Sequence, residues 1–345
     1  MAFISISTFL FSFCAHVLIV CSHGLQGTGR ATISKSHLLD QAARVRRTLP
    51  VVIQQVTGAE SLSTSSSTLD DNNDNTTDST NGKYPNKKAP TTTLENYSSS
   101  KTLLYPTYYQ NRNKKRGFSN WLIKDRIMIG QYPGQTPEKD GSSLSCAEQH
   151  IESLIMQSNI RLFCSLQSEI PPQDDYKAWC EDHNGKVYLP DGGRRDFPNF
   201  FGHYEPLVQN AYSKMMKKNG GSEGGDDNDN DVPPSFIHAP IIDLSTPSSS
   251  SLYTTLSNLL DVLENRPNHA IYIHCWGGRG RAGLVGACLL SLIFPELDSL
   301  QVLDWVQRGY DTRYGAEDMP FGLKQSPQTL PQREFVRDFV CDMHL

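Results

Sequence analysis

Cys275 is followed six residues later by Arg281, with Gly277, Gly278 and Gly280 between them and His274 just before, in the run IYIHCWGGRGRAGLVG. A thiol in such a run can act as a nucleophile once ionised, and the glycines let the backbone curl until successive N–H groups face one point. An apolar strand leads into the run and an apolar helix leaves it as far as Phe294, so the helix adds its positive N-terminal end to the same point. The result is a nest for a tetrahedral dianion, which is expected to favour an ionised, nucleophilic thiol as well. Arg281 completes the nest, because its planar fork can grip two oxygens of one anion where lysine would offer a point charge. An ordinary buried cysteine in a βα turn would explain Cys275 but not the glycines and the arginine.

Such a loop needs a frame. Apolar runs of strand length occur at Arg126 to Tyr132, Arg161 to Gln167, Lys186 to Leu189, Phe236 to Ile242 and Ala270 to His274. Ile151, Leu154 and Ile155 fall at helical spacing within 144–158, and Leu252, Leu256, Leu259, Leu260 and Leu263 form the stripe of a second helix that Pro267 ends. Alternating strands and helices predict an α/β fold: a mostly parallel central sheet flanked by helices, with the anion loop between a strand and a helix. Residues 219–231 (NGGSEGGDDNDND) read as an acidic, Gly-rich solvated insertion without EF-hand spacing.

The remainder of the chain looks different. With 32 Lys+Arg against 37 Asp+Glu the net charge is −5, which disfavours general nucleic-acid binding. Residues 61–100 are mostly Ser, Thr, Asn and Asp and lack the aliphatic surface to offset ordering entropy. They read as the disordered part of a basic leader and linker over 25–116, with sequons at Asn75 and Asn96, ahead of a folded domain at 117–345. Phe3 to Cys21 is apolar and free of Asp, Glu, Lys and Arg, so residues 1–24 are expected to be a signal peptide or signal anchor. That places the chain in the secretory pathway, in the lumen, secreted, or in an organelle reached by bipartite targeting, with membrane contact only through this segment. Cys146, Cys164, Cys180, Cys275, Cys288 and Cys341 contain no CxxC pair, and no zinc site is expected.

HCWGGRGRAG resembles the signature loop H-C-x-x-G-x-x-R-[ST]-G of the cysteine-dependent protein tyrosine phosphatase superfamily, in particular its dual-specificity-like branch. DRIMIGQYPG, NIRLFCSLQSEIPP and SPQTLPQREFV resemble segments of tyrosine-phosphatase-like proteins of algae and protists. The resemblance implies that this is a phosphate-binding loop in which His274 orients the turn and tunes the thiol, Cys275 attacks phosphorus, and the backbone from Trp276 through Gly277, Gly278, Arg279 and Gly280 to Arg281 cradles the phosphate. It implies hydrolysis of phosphotyrosine, and of phosphoserine or phosphothreonine as well, through a cysteinyl-phosphate and without a cofactor. The leaving oxygen then needs a proton. Asp243 ends a strand, 32 residues before Cys275, where the carboxyl edge of a parallel sheet gathers ligand-site residues, and it matches the family's acid position. A turn cap before the Leu252 helix is its other possible role, and Asp191 and Asp196 are the alternative acids.

Gln332 resembles a glutamine that positions water for the second step. Ala282 departs from the family's Ser or Thr, which puts stabilisation of the departing thiolate in doubt. Arg279 resembles the extra cation of phosphoinositide phosphatases, whereas Trp276 could wall a phosphotyrosine ring. Three substrate readings stay open: a phosphorylated protein, a phosphoinositide or other small phospho-ester, and a slow, mainly phosphate-binding relative.

Overall fold

The computed structural model describes residues 33–49, 104–106, 115–137, 143–180, 184–189, 200–218, 232–317 and 319–344. The expected signal segment, the sequons, the insertion at 219–231, Asp191 and Asp196 lie outside the described residues.

Five strands form the central sheet: β3 (Ser119–Ile123), β4 (Ile127–Gly130), β5 (Ile160–Gln167), β8 (Ser235–Ile241) and β9 (Ala270–His274). Their order is β3-β4-β9-β5-β8, with every neighbour parallel except the antiparallel β3–β4 edge pair. The α/β architecture is therefore as expected, with helices on both faces. Alternation along the strands divides the core. Leu122, Ile129, Cys164, Leu166, Ile271 and Ile273 face one layer, while Trp121, Met128, Phe163 and Tyr272 face the other.

The first layer holds α5 (Ser249–Asn265), α6 (Arg281–Ile293), α7 (Ser299–Asp311) and α8 (Leu330–His344); the second holds α2 (Leu144–Met156) and α4 (Glu205–Lys218), with the short α3 (Tyr176–Cys180) between them in sequence. α6 is buried at every position, Arg281 and Ser291 included, which fits its otherwise apolar sequence and makes it the central helix of its layer.

Two expectations need correction. Lys186–Tyr188 (β6) is a strand, but it pairs antiparallel with Phe200–Gly202 (β7) in a separate ribbon outside the central sheet; a second ribbon joins β1 (Leu104–Pro106) and β2 (Lys115–Gly117). Three residues are too few to cross the sheet.

The basic leader also contains a folded element. Lys35–Thr48 forms helix α1, capped by the Ser34 hydroxyl, which accepts from the His37 N–H. Its Leu38, Ala42 and Val45, followed by Leu49, are buried against α5 and α6. Arg44 pairs with Glu264 and Arg46 with Glu296, so the basic residues form a rim around an apolar seam. Those surface pairs contribute little on their own, and the seam dominates. Leu38→Ala should lower stability by about 2–4 kcal/mol in denaturant melts, whereas an unchanged midpoint would show that α1 is undocked in solution.

Candidate active site

β9 delivers His274 and Cys275 to the carboxyl edge of the sheet, and Arg281 opens α6, so Cys275–Arg281 is the loop between them. Gly278 adopts φ +66°, and a Cβ there would lie 2.1 Å from the Gly130 carbonyl carbon. Only glycine permits this close crossing of the loop over the end of β4. The loop carbonyls are held from outside. Trp276 O accepts from Tyr132 N, Gly278 O from Arg313 Nη2 at 2.7 Å, Arg279 O from Ser326 Oγ at 2.9 Å, and Gly280 O from Leu284 N. Arg313 also donates to Asn120 Oδ1 and Ile129 O, bracing the loop against β3 and β4.

Among the described residues, no protein acceptor takes the N–H groups of residues 276–280. Gly280 caps α6 without a side-chain hydrogen bond, so the helix N-terminus is open as well. Uncommitted donors around a buried Cys275 make a ready anion site.

Arg281 is almost fully buried and its terminal nitrogens are all engaged. Nη1 donates to Glu169 Oε2 at 2.7 Å and Ile241 O at 3.0 Å; Nη2 donates to Glu169 Oε1 at 2.9 Å and pairs with Asp243 Oδ1 at 3.0 Å. Nε alone has no partner among the described residues. Burial opposes the Arg281 charge, but Cys275, Glu169 and Asp243 outweigh it and hold the guanidinium above its ordinary pKa. Glu169 therefore fixes the fork from behind, with Nε left for an anion and Nη2 available once Asp243 moves away. The sequence reading missed Glu169, although it lies two residues beyond β5, on the same carboxyl edge that singled out Asp243.

His274 is fully buried, with Nε2 2.8 Å from the Tyr204 hydroxyl. Burial first, then His238 and the Arg281 charge, push its pKa down to about 3, so it is neutral at physiological pH. The role open to it is to orient the turn rather than to carry charge. Tyr204, at the entrance to α4, was not foreseen.

Asp243 sits just past β8, and Ser248, not Asp243, caps α5. Its side chain is 53% exposed, so solvent and a substrate can both reach it. Gln332 is buried and works as a strut: Oε1 accepts from Thr329 N and Nε2 donates to Ser245 O, linking the start of α8 to the Asp243 turn beside Gly280. Its amide is engaged at both ends, so water positioning would require one of these bonds to open.

Arg279 is nine-tenths buried rather than a solvated rim charge, bonded through Nε to Gln328 Oε1 at 3.1 Å and without an ion pair among the described residues. Trp276 packs edge-on against Phe201. Ala282 is buried in the first turn of α6, where it supplies no hydroxyl. Among the described residues no group of three or more His, Cys, Asp or Glu could hold a metal ion, and no disulfide joins the cysteines.

Comparison with known proteins finds matches over part of the chain. Residues 229–319 match the family described as "Swiss Army Knife protein, DSP-PTPase phosphatase domain". Cyclin-dependent kinase inhibitor 3 of Rattus norvegicus is 39% identical over 67 residues, 19% of this chain and 31% of the relative; its Homo sapiens counterpart is 37% identical over 67 residues, with the same coverage. The chain thus spans about a third of the length of these curated relatives. The crystal structure of kinase associated phosphatase with its catalytic-site cysteine changed to serine covers 71% of this chain and 97% of its own, at 14% identity and a TM-score of 0.36. The matched segment, residues 229–319, contains Asp243, Cys275 and Arg281 and is similar to that phosphatase domain.

Proposed function

We propose that the protein is a phosphomonoester hydrolase acting on phosphoproteins, on phosphotyrosine and also on phosphoserine or phosphothreonine. The observation that carries this reading is the free donor set of residues 276–280 around Cys275, with Arg281 fixed at its edge by Glu169. The Cys275 thiolate attacks phosphorus, a P–S bond forms as the ester P–O bond breaks, and the leaving oxygen takes a proton from Asp243. Water then cleaves the P–S bond, giving a proton back to the Asp243 carboxylate and releasing phosphate and the thiolate. The loop N–H groups and Arg281 stabilise the equatorial oxygens in both steps. Trp276 against Phe201 provides an aromatic wall for the substrate ring.

A second reading, hydrolysis of a phosphoinositide or another ester bearing two phosphates, is favoured by Arg279, a buried cation without an anionic partner among the described residues.

The test is a panel of an aryl phosphate, phosphopeptides and soluble phosphoinositides, assayed in chelator with rapid mixing. Hydrolysis should survive the chelator. It should show a product burst near enzyme stoichiometry and then a slower steady state, because Ala282 gives the departing thiolate no hydroxyl and a hydrogen bond to a charged group contributes ~1.5–3 kcal/mol. Failure to cleave any phosphomonoester, or strict metal dependence, would overturn the proposal; preference for the phosphoinositides would select the second reading.

A further inference from the structure

Asp243 stands between two solvent-facing aliphatic residues. Ile242 is 71% and Leu244 50% exposed, and Leu330 is 54% exposed. Thr329, the neighbour of Leu330, donates through Oγ1 to Leu244 O at 3.3 Å, which joins the start of α8 to the same turn. Leu244 also holds φ at +61°, the left-handed region in which a leucine Cβ crowds its own backbone and which glycine or asparagine adopts far more readily. The Thr329 bond and the Gln332–Ser245 bond fix that turn on both sides of the peptide, so the strained leucine is held beside the acid. Neither its exposure nor its backbone conformation benefits the fold, and strain of this kind concentrates where a site needs it.

Consecutive Cα atoms are ~3.8 Å apart. Ile242 and Leu244 therefore flank the Asp243 carboxyl along the chain, both exposed at the point a substrate's ester oxygen has to reach. We infer that Ile242, Leu244 and Leu330 form an apolar lip that binds the residues adjoining the phosphorylated residue of a peptide and selects aliphatic or aromatic side chains there. This rests on the phosphatase reading above. A lipid surface would offer similar apolar chemistry, but a surface carrying phosphoinositides is anionic and is held by clustered Lys and Arg. Residues 241–252 contain no Lys or Arg, the Asp243 carboxylate is paired with buried Arg281, Arg333 near Leu330 is tied to the Pro327 and Gln328 carbonyls, and the chain as a whole carries −5.

The experiment compares two phosphotyrosine peptides that differ only in flanking residues, Leu and Ile in one and Ser and Gln in the other, with phosphoinositide vesicles as a third substrate. It uses the full chain for turnover and its Cys275→Ser form for binding by fluorescence anisotropy. The apolar-flanked peptide should have a kcat/KM about tenfold higher, arising mostly in KM, and should bind the Cys275→Ser protein more tightly by a similar factor. Leu244→Gly, which relieves the positive φ, should bring the ratio between the two peptides to within about twofold, and Ile242→Ser should reduce it. That ratio is internal to each variant and is insensitive to how much protein is folded. Equal turnover of both peptides by the unaltered protein would overturn the lip while leaving the phosphatase reading intact. A preference that persists in Leu244→Gly would also overturn it, as would faster hydrolysis of the vesicles than of either peptide. No turnover of any phosphomonoester would remove both readings together.

Discussion

Cys275→Ser should lower kcat at least ~10⁴-fold, while vanadate or phosphate still binds. In the proposed mechanism nucleophile and anion cradle are separable. Binding depends on the N–H groups of residues 276–280, the open end of α6 and Arg281, none of which changes when sulfur becomes oxygen. Attack depends on a group that is both ionised and nucleophilic, and a serine hydroxyl, far weaker as an acid than a thiol, supplies almost no alkoxide. Arg281→Lys should behave differently, losing both rate and anion affinity, because a lysine ammonium cannot satisfy Glu169 through two parallel bonds and still present a donor to the nest. Steady-state rates together with anion binding by calorimetry separate the two variants. A Cys275→Ser protein retaining more than a hundredth of the activity would exclude the cysteinyl intermediate. An Arg281→Lys protein with normal anion affinity would exclude the clamp.

The loop was legible because strand, glycine turn and helix follow one another within Ala270–Ile293, although the crossing that requires glycine at 278 is made with the distant end of β4. Asp243 was legible from a rule of sheet geometry, as the residue just past a strand end. The same rule points to Glu169, but nothing in its immediate sequence says that it meets Arg281, 112 residues away. Tyr204 and Arg313 are alike in this respect, since each reaches His274 or the loop from a distant part of the chain. Helix α1 was hidden for a different reason. Leu38, Ala42, Val45 and Leu49 carry helical spacing, but the arginines among them gave the segment the composition of a solvated leader. Only the partners Glu264 and Glu296, far along the chain, show those arginines to be the rim of a packed seam. The β6–β7 ribbon was misplaced because a three-residue strand has too few side chains for its pattern to name a partner.

Asp243→Ala should reduce hydrolysis of an alkyl phosphate by ~10²–10⁴ and of an aryl phosphate with a good leaving group by much less. The expected split follows from where the proton is needed: an alkoxide cannot leave unprotonated near neutral pH, whereas an electron-poor phenoxide can. Affinity for vanadate should stay the same or rise. In the free protein Asp243 Oδ1 occupies Arg281 Nη2, and a phosphoryl group that takes both Nε and Nη2 has to displace it. Removing the carboxylate removes that competitor and leaves the Glu169 bonds that orient the fork. The pH profile supplies the sign. A general acid acts only when protonated, so the unaltered protein should lose rate toward high pH, and Asp243→Ala should lose that basic limb. An alkyl phosphate turned over within threefold of the unaltered rate, or a basic limb that persists in the variant, would assign proton donation to a different group. A marked loss of vanadate affinity would instead show that Asp243 holds the ligand rather than competing with it for Arg281.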